Sequence, residues 1–348
     1  MDNQRLILLL VFLFSLFMLW DGWQKHNQPV SAAAIDQSAQ KAAPEIPGVS
    51  PTPATTLSST PATSPSSAVP MPAQAAVSAP GVKAVVKTDL YLAEISSVGG
   101  DLVRLELTQH KATEDKTKHF VLMEISKERT YLAQTGLIGE GLPNHKTEFR
   151  LEPRVYELKP DSDKLELRLE APEANGLKVV KIYTFRRGSY QIDVGYEIVN
   201  QRQVPLDAHA YYQLTRDGKV PEAGMTNIAT FTGPAIYTEE GKFQKVDFTD
   251  IEKGKAKFVQ KAKDGWVAVV QHYFVAGWTP QGKEEREFFM RKVADNLFSA
   301  GIILPVEAVA PGQMTRISVP LYVGPQEQAT LEKIAPGFGL VVDYGWLT

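Results

Sequence analysis

The chain has 348 residues, with 37 Lys and Arg against 40 Asp and Glu, a net charge of −3 and no cysteine. That balance gives no general attraction to nucleic acid, and the lack of thiols excludes disulfides, thiolate metal sites and a cysteine nucleophile. A hydrophobic content of 43% fits a folded protein, built as one large domain or two ordinary ones with appendages.

Residues 5–23 read RLILLLVFLFSLFMLWDGW, and from Leu6 to Trp20 they are apolar except for Ser15. As a helix this stretch spans roughly 25 Å, just short of a hydrocarbon core, and it has no polar face of the kind a surface helix carries. Trp20 and Trp23 stand where an aromatic belt meets water. The pattern predicts a membrane anchor over residues 6–23 with a cytoplasmic tail at residues 1–5. A cleaved signal peptide is the competing reading, its nearest small-residue site being SAAA at residues 31–34. Residues 24–82 are rich in Pro, Ala, Ser and Thr and predict a disordered, partly extended tether, because such a segment buries too little apolar surface to offset its ordering entropy.

From residue 83 to about 340 the texture is that of strands. Val103, Leu105 and Leu107 alternate with Arg104 and Glu106 after a Gly99-Gly100 turn; Leu165, Leu167 and Leu169 alternate with Glu166, Arg168 and Glu170. Tyr190, Ile192, Val194, Tyr196 and Ile198 share a third face. A period of two with one polar face marks antiparallel strands over a core. Turns are expected at Asn175-Gly176, Arg187-Gly188, Asp217-Gly218 and Glu240-Gly241. TFTGPAIYT, at residues 230–238, predicts a bend or an edge strand, since proline is poorly placed inside a sheet. IEKGKAKFVQKAKDGW gathers Lys253, Lys255, Lys257, Lys261 and Lys263, read as a solvated hairpin, with a basic patch for an anionic partner as the alternative. GWVAVVQHYFVAGW, at residues 265–278, predicts one strand buried on both faces. A helix is expected in GPQEQATLEKIAPG, between Pro325 and Pro336-Gly337. Many strands without a βαβ rhythm predict a mainly β sandwich.

Chemistry is sparse. The sequence has no phosphate loop, no His-Glu-x-x-His and no Gly-x-Ser-x-Gly. Of the six histidines, His272 lies in the most apolar stretch and is expected to be the shielded one, as a hydrogen-bonded core residue rather than an acid or base. No catalytic residue, cofactor or metal is implied.

The assembled pieces resemble the N-terminal part of the YidC family of bacterial membrane protein insertases (the Oxa1/Alb3/YidC group), in its Gram-negative form. The opening MDNQRLILLLVFLFSLFMLWDGW, the tether, TFTGPAIYT, GWVAVVQHYFVAGWTP, LYVGPQ and the final VVDYGWLT stand in that family's order. The resemblance implies a large antiparallel β-supersandwich, galactose-mutarotase-like in fold, with a short C-terminal helix. It implies a periplasmic domain held to the inner membrane by a single span in this chain. Residues 341–348 then begin an interfacial segment leading to an insertase core absent here. The implied role is non-enzymatic, in insertion, folding and assembly of inner-membrane proteins. The implied partners are the Sec translocon (SecD-SecF and SecYEG), nascent inner-membrane proteins and the lipid bilayer. By position, a SecD-SecF contact would fall on residues 211–263, holding Tyr211, Lys253 and Lys263. A carbohydrate-binding or mutarotase-like periplasmic protein is the alternative; it needs an acid and a base facing a sugar, and no such pair can be placed.

Overall fold

The computed structural model describes residues 81–112, 115–219 and 231–342. The anchor with Leu6, Trp20 and Trp23, nearly all of the tether and the last six residues lie outside them. Among the described residues no helix is long and apolar enough to cross a membrane.

The folded body opens with β1 (Lys83–Lys87), β2 (Tyr91–Ser96), β3 (Leu102–Lys111), β4 (His119–Ile125), β5 (Thr130–Ile138) and the short β6 (Val155–Glu157). Next come β7 (Lys164–Glu170), β8 (Leu177–Arg186), β9 (Gln191–Asn200) and β10 (Leu206–Asp217). After β11 (Gly233–Thr238) and β12 (Lys242–Lys245) stand the helix α1 (Phe248–Glu252) and β13 (Lys261–Ala262). The chain continues through β14 (Trp266–Gln271), β15 (Phe274–Trp278), β16 (Arg286–Ala294), β17 (Leu297–Val309) and β18 (Met314–Pro325). It closes on α2 (Gln328–Ile334) and a 3-10 turn, Phe338–Val341.

Two sheets result. The first has ten strands in the order β13-β16-β17-β10-β5-β4-β3-β2-β1-β6, and the second has eight, β12-β11-β14-β15-β18-β9-β8-β7. The pairings are antiparallel except at one margin, where β6 runs parallel to β1. This mainly β sandwich is the predicted class, and the alternation behind it is visible in burial. Leu167, Leu169, Ile192, Val194, Tyr196 and Ile198 are all within the core between the sheets, while Glu166, Arg168 and Glu170 are exposed. Asn175-Gly176, Arg187-Gly188 and Glu240-Gly241 make hairpin turns; Asp217-Gly218 instead ends β10, where the Asp217 carboxylate accepts the Thr130 N–H at 2.6 Å.

Three expectations change. Residues 265–278 form two strands: β14 and β15 fold on each other with Gln271 opposite Phe274, so His272 and Tyr273 are the turn. Tyr273 takes the left-handed conformation, φ 61°, that lets the chain reverse in two residues. Burial on both faces does hold. Val267, Val269, Ala276 and Trp278 enter the main core, and Trp266, Ala268, Val270 and Val275 turn outward under Leu331, Phe338 and Val341 of the C-terminal helix and 3-10 turn. The second change is β11, which is flanked by both β12 and β14 rather than lying on an edge. Pro234 is accepted there because its backbone polar groups face the β12 side just past the last β11–β12 pair, Ala235 and Lys245. Its carbonyl still takes the Val246 N–H at 2.9 Å, and the missing donor falls where that ladder has ended. The lysine stretch, third, is the end of α1, an extended run and β13, not a hairpin.

The C-terminal cover is held tightly. The Trp266 indole N–H donates to the Pro336 carbonyl at 2.9 Å, and a Cβ on Gly277 would meet the Phe338 ring at 2.9 Å. Gly277→Val should therefore destabilise the protein by about 1–3 kcal/mol through overpacking, with Gly277→Ala costing less. Urea unfolding followed by tryptophan fluorescence measures this; an unchanged midpoint for the valine variant would mean that Phe338 does not rest on β15.

Candidate functional site

The strand β10 supplies the clearest concentration of polar side chains. Ala208, Ala210, Tyr212 and Leu214 point into the core between the sheets, so Tyr211, Gln213 and Thr215 face the opposite way by strand alternation. Register extends this into cross-strand rows. Gln213 lies opposite Gln134 of β5 and Gly301 of β17, and Thr215 lies opposite Leu132 and Ser299. Tyr211 shares a row with Gly136, Ile303, Glu287 and finally Lys261 of β13. Gly136 and Gly301 leave the floor clear for the Tyr211 and Phe289 rings, which a Cβ at either position would strike.

Hydrogen bonds join these rows. Gln213 Nε2 donates to Gln134 Oε1 at 3.0 Å, Thr215 Oγ1 donates to the same oxygen at 2.8 Å, and Thr215 and Ser299 hydroxyls lie 2.7 Å apart. Gln134 Nε2 in turn donates to Asp101 Oδ2 at 2.8 Å. The other Asp101 oxygen is 3.9 Å from Lys181 Nζ. Lys181 belongs to β8 in the second sheet, yet its ammonium donates to the Gly99 carbonyl at 2.8 Å, and Tyr183 donates to the Gly100 carbonyl at 2.6 Å. Gly99 and Gly100 hold φ of 71° and 59°, a conformation that suits glycine and brings both carbonyls onto these donors. Above the tract, the loop after β5 places His145 against Tyr211, whose hydroxyl accepts the His145 backbone N–H at 3.0 Å and meets the Nδ1 of the same residue.

The electrostatics follow from burial. Desolvation pushes the His145 imidazole down to about 4, so it is neutral at pH 7. The Tyr211 phenol is pushed up, also by desolvation. Burial raises the Asp101 carboxyl against the pull of Lys181 and lowers Lys181 against the pull of Asp101. Imidazole and carboxylate are thus engaged with different partners, His145 with Tyr211 and Asp101 with Gln134 and Lys181. Such a tract can fix donors and acceptors in place; it holds no carboxylate–imidazole couple in mutual contact for proton transfer.

The predicted contact residues separate. Tyr211 is fully buried at the centre of the tract, while Lys253 and Lys263 are exposed at the margin of the sandwich. Of the histidines among the described residues, His145, at 4% exposure, is the shielded one. His272 sits half-buried at a hairpin tip. Alternation of His209, Tyr211, Gln213 and Thr215 with Ala208, Ala210, Tyr212 and Leu214 was the available signal for the tract; His145 and Asp101, in a loop and at a strand start, carried none.

A family model described as the YidC periplasmic domain matches residues 83–348. The chain belongs to that family. Curated relatives include the membrane protein insertase YidC of Aromatoleum aromaticum, 55% identical over all of this chain and 62% of the relative. That of Nitrosospira multiformis is 45% identical with the same shares. The chain therefore spans 62% of the length of these YidC proteins. Among solved structures, a galactose mutarotase related enzyme from Lactobacillus acidophilus is 9% identical with a TM-score of 0.44, covering 70% of this chain and 97% of that one. A likeness at that level carries no functional argument.

Two variants test this YidC-family site. Lys181→Met leaves Asp101 buried without its cation and should cost about 3–5 kcal/mol, whereas Lys181→Met with Asp101→Leu should recover most of the loss; denaturant midpoints of the single and double variants decide it. The second concerns acid. With a folded value near 4 against an ordinary 6.5, His145 is protonated first in the unfolded chain. Its contribution to stability is complete above pH 6.5 and is lost as pH falls toward 4. Asp101, raised by burial, slopes the opposite way. The difference between the parent and His145→Gln should therefore shrink between pH 7 and pH 5 in thermal melts, and a constant difference would contradict a neutral buried imidazole.

Proposed function

We propose that this chain is the N-terminal part of a membrane protein insertase that serves insertion, folding and assembly of integral inner-membrane proteins. Its sandwich acts by binding, as a periplasmic chaperone-like and translocon-contacting domain, and it performs no catalysis. The observation that carries the reading is family membership over residues 83–348. It is supported by relatives named membrane protein insertase that match the chain end to end. In the tract His145 and Asp101 hold different partners, Tyr211 and Gln134, which supports a non-enzymatic role over a mutarotase-like one.

In this reading residues 6–23 anchor the chain in the inner membrane once, residues 24–82 tether it, and the domain of residues 83–340 lies in the periplasm. Residues 211–263 contact SecD-SecF, and nascent inner-membrane proteins are the clients. Insertion itself needs a membrane-embedded groove whose polar lining is walled by several helices, so the chain alone does not supply it.

Two measurements check this. In cells depleted of their insertase, a full-length relative should restore growth and this chain alone should not; restoration by the chain alone would overturn the division of labour. Photo-crosslinkers placed at exposed positions of the contact stretch, Glu240 and Thr249 among them, should trap SecD or SecF. If no exposed position across residues 211–263 traps either subunit, the translocon contact is wrong.

A further inference from the structure

The five lysines of residues 253–263 occur without one acidic residue among them, in a chain of net charge −3. The fold turns them into a ridge. Ala256, Phe258 and Ala262 alternate with lysines and pack inward on the core clusters, while Lys253, Lys255, Lys257, Lys261 and Lys263 are exposed. Lys261 has a partner, Glu287 at 3.7 Å. For Lys253, Lys255, Lys257 and Lys263 there is no ion pair among the described residues. The two acids that flank the lysines in sequence are engaged: Glu252 pairs with Lys292 at 2.7 Å, and Asp264 accepts the Glu239 N–H at 2.8 Å.

The ridge is also fixed along its length. Lys255 and Ala256 N–H groups both donate to the Asp250 carbonyl, at 2.8 and 3.1 Å. Val259 N–H donates to Gln244 Oε1 at 3.1 Å, and the Gln260 carbonyl takes the Phe288 N–H at 2.7 Å. At its end the buried Arg286 guanidinium donates to the carbonyls of Lys263, Gly265, Pro280 and Gly282. Little backbone ordering entropy is then lost when a partner binds, the lysine side chains alone being left to order.

We propose that this ridge docks the sandwich on a bilayer surface carrying anionic lipid headgroups. The inference goes beyond the insertase reading and rests on its membrane-anchored part, which tethers the ridge to a bilayer. It gives the lysine end of residues 211–263 to lipid and leaves the SecD-SecF contact to the rest of that stretch. Three features favour lipid over an acidic protein. The cluster is all lysine, a residue depleted from protein–protein interfaces, and it holds no arginine, which such interfaces favour. None of the exposed large hydrophobic side chains of the described residues, such as Val155, Tyr273 or Leu340, lies on it, so it offers no anchor for a protein pocket. Clusters of four to eight basic residues beside a membrane attract anionic headgroups by charge alone, and attachment to the same bilayer makes such weak contacts effective.

The test uses the full chain in nanodiscs of phosphatidylcholine alone or mixed with phosphatidylglycerol, with acetylation of each lysine followed by mass spectrometry. Lys253, Lys255 and Lys257 should acetylate roughly fivefold more slowly in the anionic discs, with protection abolished by high salt and with Lys127 unaffected. Lys253→Glu, Lys255→Glu and Lys257→Glu together should abolish protection at Lys263 while circular dichroism stays unchanged. Equal acetylation in both discs overturns the proposal, as does protection that needs added SecD-SecF, which would make the ridge a protein contact. Flotation in high salt reads the anchor separately. A chain that floats with neutral discs but shows no protection refutes the ridge alone. A chain that floats only with anionic discs and is released by salt supports the ridge and refutes the anchor.

Discussion

One ammonium group holds the two sheets in their working relation. Lys181 leaves β8 in the second sheet and donates to the carbonyl of Gly99 at the β2–β3 turn of the first. A fully buried lysine is costly unless an opposite charge and hydrogen bonds meet it. Here the carbonyl and Asp101 do so, and Asp101 is then committed to one orientation. Its second oxygen fixes the amide of Gln134, which receives Gln213 and Thr215. The order of the polar tract on the far face of the first sheet therefore descends, contact by contact, from a side chain of the other sheet.

Much of the fold was readable because β-structure writes itself in alternation. The runs around Leu165, Ile192 and Val194 show one apolar face, and those faces are buried as read. Reading failed where both faces of a strand are buried. In residues 265–278 alternation vanishes, since the outward side is covered by Phe338 and Leu331, and nothing in an unbroken apolar run marks the left-handed Tyr273 as a turn. The proline of β11 misled for a similar reason, as its missing N–H fell where the ladder did not need it. The tract was legible only in β10. Its other members depend on register between strands far apart in sequence, such as Gln134 and Gln213, which no local pattern reports.

The tract and the ridge are different kinds of surface. The first is neutral, buried and cross-bonded, so it resists exchange of partners and stiffens the sheet. The second is charged and solvated, with alternate residues packed beneath it. One row of the first sheet joins them, since Tyr211 leads through Ile303 and Glu287 to Lys261. A family of periplasmic domains whose relatives continue well beyond this length has use for both, a rigid body and a charged margin on it.

The bond from the Trp266 indole to the Pro336 carbonyl has a mechanical meaning. The helix and 3-10 turn cross the back of β14, β15 and β18, so tension on the segment after Val342 is taken first by Val341 and then by Phe338 in its bed of aromatic rings. Strand ladders lie behind that grip and are not stretched until it gives. The final turn is thus a strain relief, letting a neighbouring segment move without tugging open the sandwich.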